Sequence, residues 1–214
     1  MKKCLLTLIV WGVLFGYMEA AIVVYLREIY YPSGFTFPAV LIDKHIMLTE
    51  LLREAATLLI MWTTVSLTYP KTQSRIAAFF LLFGVWDIFY YVFLKLLLNW
   101  PQSLETWDIL FLIPLPWVGP VWAPIIISVG FIFVGMFILQ LNHKNRFVTF
   151  DNKFLLIELF AASMIIFSFI IPGNAVVKQS VPTDFPYYLF LLGFLLAIGG
   201  FLYSLYHIRL RSKK

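Results

Sequence analysis

The sequence predicts an all-α membrane protein: one helix bundle with about six transmembrane helices and with both the N and the C terminus in the cytoplasm. Hydrophobic residues make up 62% of the 214 residues and charged residues only 13%, whereas charged residues are about 25% of a typical soluble domain. The hydrophobic residues also fall into runs of the length that a helix needs to cross hydrocarbon. No polar stretch is long enough for a separate soluble domain, so residues 1–214 are expected to form a single transmembrane domain.

Six apolar runs have the length of a membrane-spanning helix. The first follows Lys2 and Lys3 and continues to Leu26, which is longer than the apolar region of a signal peptide, so we expect it to remain as a helix. Pro172 and Gly173 follow the fifth and shortest run and are expected to end it sharply. The predicted spans are residues 5–26, 47–69, 76–98, 121–141, 154–171 and 187–208.

The distribution of Lys and Arg sets the orientation of these spans. Eleven of the sixteen basic residues fall in the termini and loops on one side, and five fall on the other side. Because cytoplasmic loops carry the excess of basic residues, the first side is assigned to the cytoplasm. Basic loops beside anionic lipid headgroups also account for the net charge of +5, so we expect membrane lipids as partners and no nucleic acid.

The outer side carries the longer and more aromatic loops, residues 27–46 and 99–120. Four of the seven tryptophans fall within residues 100–122, and tryptophan is enriched at the depth of the headgroups. The apolar stretch 109–115 is too short to cross the membrane and is interrupted by proline. The segment near 104–117 is therefore predicted to be interfacial or re-entrant.

Ionisable side chains within the predicted spans are the main candidates for a site. Each costs about 2.5–3.5 kcal/mol when it is unpaired in hydrocarbon, so such residues are expected to face the bundle interior, to pair or to be protonated. In the first span, Gly12 and Gly16 form a small-residue pair that lets another helix approach, and Glu19 follows on nearly the same face. Glu19 is thus either a packing residue or part of a site.

In the second span, four polar residues have the spacing of one helical stripe. This stripe is either a salt-bridged interfacial surface, or it makes Arg53 an anion-binding group and Glu54 a proton carrier. The stripe consists of Glu50, Arg53, Glu54 and Thr57.

In the third span, Asp87 lies near the middle of the membrane and is the strongest site candidate. If neutral it can donate a proton, and if charged it can hold a cation or pair with Arg53. A purely structural ion pair is the alternative. Asp87 shares one helix face with Gly84, Tyr91 and Lys95.

The direction of the first three spans places their polar residues together in the outer half of the membrane. We expect these residues to line one pocket beneath the two aromatic loops. The candidate acid/base or proton sites are Asp87, Glu54 and Glu19, and the candidate ligand-binding residues are Arg53, Tyr91, Lys95 and Tyr90.

Several classes of site are disfavoured by the motifs that the sequence lacks. There is no phosphate-binding glycine loop and no nucleophile elbow. His45, His143 and His207 are far apart in the sequence, so neither a metal site nor a cofactor is predicted. Glu158, near the cytoplasmic end of the fifth span, is expected to pair with the basic inner loops.

Three segments of the chain resemble a group of known proteins. They are Gly84-Val-Trp-Asp-Ile-Phe-Tyr-Tyr91, Thr106-Trp-Asp-Ile-Leu-Phe-Leu-Ile-Pro114 and Pro116-Trp-Val-Gly-Pro120. Together, over residues 84–124, the chain resembles small multi-pass bacterial membrane proteins of unassigned function. The resemblance implies the bacterial cytoplasmic (inner) membrane as the location and implies no activity.

Three functions remain open at this point. The first is the binding, or the binding and modification, of a lipophilic or amphiphilic molecule in the outer leaflet, with Arg53 or Lys95 holding an anionic headgroup. The second is a small proton- or cation-coupled transporter. The third is an accessory subunit of a membrane complex. The sequence decides neither between enzyme and non-enzyme nor between a homo-oligomer and a complex with another subunit.

Overall fold

The computed structural model describes residues 2–40, 42–148, 150–206 and 211–212. These residues form a bundle of six α-helices with one short β-hairpin and one short two-stranded ladder between segments that are far apart in the chain, which confirms the predicted all-α class. Residues 207 and 208, the end of the predicted sixth span, lie outside the described residues. The helices are α1 (Lys2–Tyr30), α2 (Lys44–Thr68), α3 (Thr72–Leu98), α4 (Trp122–His143), α5 (Asn152–Val177) and α6 (Tyr187–Tyr206), and the strands are β1 (Trp107–Phe111), β2 (Trp117–Pro120), β3 (Arg146–Phe147) and β4 (Arg211–Ser212).

Five of the described helices are long and apolar enough to cross a membrane, namely α1, α3, α4, α5 and α6. The chain is therefore a multi-pass membrane protein. The 25 residues of α2 are enough to cross, but this helix is less apolar because Glu50, Arg53 and Glu54 lie in its first three turns. The crossing of α2 stays a prediction that depends on how those charges are buried.

Helix α3 is the centre of the bundle, and α1, α2 and α4 all pack against it. Small residues allow the closest approaches. A Cβ at Gly16 of α1 would lie 2.8 Å from the carbonyl oxygen of Trp86, and a Cβ at Gly84 of α3 would lie 2.5 Å from that of Ser128 in α4. The predicted packing face of α1 thus meets α3, and Glu19 is brought to the same interface.

An apolar layer closes the bundle toward the α2–α3 turn. It is formed by fully buried residues of α2 and α3, with side chains of α1 and α4 packed around them. Its central members are Met61, Val65, Ala78, Leu81 and Leu82.

The prediction that Pro172 and Gly173 end the fifth helix sharply is wrong. Pro172 lies inside α5, which continues to Val177. Proline removes one backbone hydrogen bond of a helix, but both residues are buried, and Gly173 packs against the β1–β2 hairpin. A Cβ at Gly173 would lie 1.9 Å from the carbonyl oxygen of Pro116, so this close packing on the hairpin requires glycine.

The segment near 104–117, predicted to be interfacial or re-entrant, contains most of an antiparallel hairpin. Trp107 lies opposite Pro120, and Asp108 lies opposite Gly119. Successive side chains of a strand point to opposite faces. This alternation turns Asp108 into the protein, where it is only 1% exposed.

Candidate functional site

The polar residues of the first three helices meet at one cavity of about 180 Å³. Its walls come from α1, α2, α3, strand β1 and the loop between α1 and α2. Six of the seven predicted site residues line it. They are Glu19, Arg53, Glu54, Asp87, Tyr90 and Tyr91.

Arg53 is held between two carboxylates. Its Nε and Nη2 atoms donate to Glu50 Oε2 at 2.9 and 2.7 Å, and its Nη1 atom forms an ion pair with Glu19 across the helix interface. The pair with Glu50 lies within one turn of α2, whereas the pair with Glu19 joins α2 to α1. Because both sides of the guanidinium face carboxylates, Arg53 is poorly placed to hold an anionic headgroup.

Glu54 connects α2 to the hairpin. The backbone N–H of Leu112 donates to its Oε2 and Oε1 atoms at 2.9 and 3.1 Å. Leu112 follows β1 directly, so this amide has no partner in the strand ladder. The Glu54 carboxyl is buried and makes no ion pair among the described residues.

Asp87 is 8% exposed and pairs with α4 rather than with Arg53. The hydroxyl of Ser128 donates to its Oδ2 atom at 2.8 Å. The close α3–α4 packing at Gly84, one turn earlier, brings Ser128 within reach. In the described part of the chain, Asp87 Oδ1 has no hydrogen-bond partner, and Asp87 forms no ion pair.

Arg27 and Asp108 form a second buried ion pair, which was not predicted from the sequence. Arg27 Nη2 lies 3.0 Å from Asp108 Oδ1, and the Tyr91 hydroxyl donates to Asp108 Oδ2 at 3.1 Å. The Arg27 guanidinium also lies over the rings of Trp100 and Phe35, 3.6 and 4.5 Å from their centroids. Burial raises the pKa of Asp108 above its ordinary value, and Arg27 opposes that rise.

The aromatic wall of the cavity contains an unsatisfied donor. Trp86 stacks on Tyr90, with ring centroids 6.4 Å apart and planes inclined by 21°. Trp86 is 5% exposed, and its indole N–H has no hydrogen-bond acceptor. Arg27 Nη1 is likewise buried without an acceptor. Buried donors normally have hydrogen-bond acceptors, so these two N–H groups of the cavity wall are available to an acceptor on a ligand.

Lys95 and Glu158 do not lie where the sequence predicted them. Lys95 does not line the cavity; its ammonium donates to the carbonyl oxygens of Pro101 at 3.0 Å and Asn99 at 3.4 Å. The Lys95 side chain extends beyond the last turn of α3, so these hydrogen bonds connect the end of the helix to the following loop. Glu158 makes no ion pair with the basic inner loops in the described residues, and its Oε1 lies against Gly200 of α6 without a partner.

One sequence signal points to the missed pair. Asp108 is a lone carboxylate in a strongly apolar segment, and Arg27 follows the first apolar run, which is predicted to end on the same side of the membrane. Charges in such positions require partners.

Among the described residues, no group of three or more His, Cys, Asp or Glu side chains is arranged to hold a metal ion. The arrangement is suited to bind a polar group and to exchange protons with it.

Comparison with known proteins identifies no relative. No family model matches the sequence, and no curated protein and no solved structure is detectably similar to it. The resemblance to small bacterial membrane proteins therefore stays a prediction from the sequence, and function is argued from the cavity itself.

Proposed function

We propose that the cavity binds a lipophilic or amphiphilic small molecule that enters from the outer leaflet of the bacterial cytoplasmic membrane. One observation carries the proposal: six candidate polar residues from three helices line a single cavity of about 180 Å³ that apolar and aromatic side chains also surround. Ligand pockets combine an apolar wall with a few convergent polar groups in this way.

A route from the bilayer supports an amphiphilic ligand. Helices α1 and α2 both pack against α3 but make few contacts with each other, and the Arg53–Glu19 ion pair joins them. The residues next to this ion pair in the chain, Met18 on α1 and Leu52 on α2, are exposed apolar side chains. In the proposed complex, the hydrocarbon tail leaves the cavity between α1 and α2 while the polar end stays inside.

The excess of basic residues on the opposite loops supports the assignment of the cavity to the outer half. The alternative, a proton- or cation-coupled transporter, is supported by the unpaired carboxyls of Asp87 and Glu54, because intramembrane carboxyls are used as proton relays. The apolar layer around Leu81 and Leu82 counts against it, because the buried side chains of α3 from Ala77 to Val85 are all apolar and offer a proton no polar group.

Native mass spectrometry of gently solubilised protein tests the proposal. Wild type is expected to retain a small molecule that Asp87→Asn loses while it stays folded. Glu158→Gln is the matched control, because Glu158 is also an intramembrane carboxyl but does not line the cavity. Equal retention by wild type and Asp87→Asn contradicts the proposed site. Stoichiometric capture of a larger protein, together with indifference to Asp87→Asn, indicates an accessory subunit instead.

A further inference from the structure

The charge of the cavity wall narrows the chemistry of a ligand; this step rests on the proposed function. Five carboxyl groups line the cavity, but only two basic side chains, Arg27 and Arg53, do so. With every group ionised, the described wall carries a net charge of −3. The carboxyls belong to Glu19, Glu50, Glu54, Asp87 and Asp108.

Both guanidinium groups are already neutralised by carboxylates within the wall. Arg53 pairs with Glu19 and Glu50, and Arg27 pairs with Asp108. The described residues offer Asp87 and Glu54 only neutral donors, a hydroxyl and a backbone amide. A buried carboxylate without a cation is strongly disfavoured, so these two groups need either protons or a positive charge from a ligand.

The aromatic wall gives an independent indication of a ligand. Trp86 precedes Asp87 in the chain, lines the cavity and stacks with Tyr90. Indole and phenol faces attract cations. The nine-tenths buried indole N–H of Trp86 and Arg27 Nη1 both lack acceptors. A positively charged group suits the ring faces, and an oxygen acceptor beside that charge, such as the phosphate of an aminolipid, also satisfies the two donors.

The size of the cavity favours an organic cation over a bare metal ion. Its volume of about 180 Å³ corresponds to roughly six water molecules, at about 30 Å³ each in the liquid. No metal-binding group of three ligating side chains occurs among the described residues. A protonated amine keeps its N–H donors for carboxylates in hydrocarbon, where a fully solvated ion would lose its hydration shell.

We propose that the cavity selects amphiphiles whose polar end is a protonated amine, with Asp87 and Glu54 as its counter-charges and the Trp86–Tyr90 pair beside it. The shared chemistry is the alkylammonium group, whether it belongs to a membrane aminolipid or to a free long-chain amine. Arg53 and Arg27 pair with the other three carboxylates of the wall and leave one net negative charge there. Asp87 and Glu54, which have no cationic partner among the described residues, supply the other two.

Three probes with the same twelve-carbon chain but different head groups separate the effect of head-group charge on binding from the effect of the hydrocarbon tail. Dodecylamine, 1-dodecanol and dodecanoate are titrated into protein in a neutral maltoside detergent, and bound probe is counted by native mass spectrometry. Dodecylamine is expected to bind most tightly and dodecanoate least. Asp87→Asn and Glu54→Gln are each expected to weaken dodecylamine binding about tenfold or more and to leave dodecanol binding within about threefold. Glu158→Gln is expected to bind all three probes like wild type.

The outcomes separate the two proposals. Binding of dodecanol or dodecanoate at least as tightly as dodecylamine overturns the amine preference but leaves an amphiphile site. Absence of binding for all three probes overturns the site itself. If Asp87→Asn does not fold, the amine preference is tested with Glu54→Gln alone. An unchanged affinity of Glu54→Gln for dodecylamine then counts against the proposal. Displacement of dodecylamine by phosphatidylethanolamine, but not by phosphatidylglycerol, identifies an aminolipid, whereas displacement by neither identifies a free amine.

Discussion

At the scale of single residues, the Arg27–Asp108 pair is the most deeply buried ion pair in the described part of the chain. Asp108→Asn leaves the buried Arg27 without a counter-charge, and breaking a buried pair in this way costs about 3–5 kcal/mol. We expect the unfolding temperature in detergent to fall by roughly 10 °C. Glu105→Gln, an exposed change in the same loop, should leave it unaltered. Equal stability of the two variants would show that Arg27 is satisfied by its aromatic neighbours alone.

Because the Glu19–Arg53 ion pair joins α1 to α2, we expect the effects of substitutions at these two residues on stability to be coupled. We expect Glu19→Gln and Arg53→Gln each to destabilise the protein, and the double variant to lose less than the sum by about 0.5–3 kcal/mol, because the two share one interaction. Chemical denaturation in mixed micelles measures this difference. The pair Glu28→Gln and Arg53→Gln is the control, since Glu28 is exposed and has no ion pair with Arg53. Strict additivity for Glu19 and Arg53 would mean that the bridge contributes nothing.

At the scale of elements, the α3–α4 contact depends on the missing side chain of Gly84. Gly84→Ala places a methyl group 2.5 Å from the Ser128 carbonyl oxygen, so the helices must separate and the Ser128–Asp87 hydrogen bond is strained. We expect a loss of about 1–3 kcal/mol in stability and weaker binding of any ligand that contacts Asp87. Thermal unfolding and probe titration measure the two effects.

Gly130→Ala is the matched control for this contact. It lies in α4, two residues beyond Ser128, and a Cβ there meets nothing within 4 Å. Alanine is the better helix former, so this variant should be neutral or slightly stabilised. A Gly84→Ala protein as stable as Gly130→Ala would contradict the close packing of the two helices.

The sequence predicts the helices better than it predicts their partners. Apolar length marks five helices clearly, and helical spacing puts Glu19, Arg53 and Asp87 on inward faces. Contacts between segments that are distant in the chain leave no periodic pattern in the sequence. The Glu54–Leu112 hydrogen bond joins residues that are 58 positions apart, and Asp87 accepts a hydrogen bond from Ser128 instead of pairing with Arg53. The Pro172-Gly173 pair locally predicts the end of a helix, but α5 continues through it, and Gly173 packs on a hairpin that lies far earlier in the chain.

At the scale of the whole molecule, the crossing of α2 decides whether the chain makes five or six passes. Cysteine labelling tests it in a Cys4→Ser background, because Cys4 is the only cysteine. We expect Ser33→Cys to react with a membrane-impermeant maleimide added outside intact cells, and Lys71→Cys to react only after lysis. The two sites flank α2, so labelling of both from one side would show that this helix does not cross.

The charges of α2 also impose an order on biosynthesis. Glu19 is already made when Arg53 leaves the ribosome, so the first ion pair can form as α2 enters the translocon. The amide that satisfies Glu54 is synthesised 58 residues later, after α3. During synthesis, the Glu19–Arg53 ion pair is therefore available to α2 before its contacts with α3 and the hairpin are. We expect full insertion of α2, whose crossing the labelling experiment tests, to follow the synthesis of these later segments.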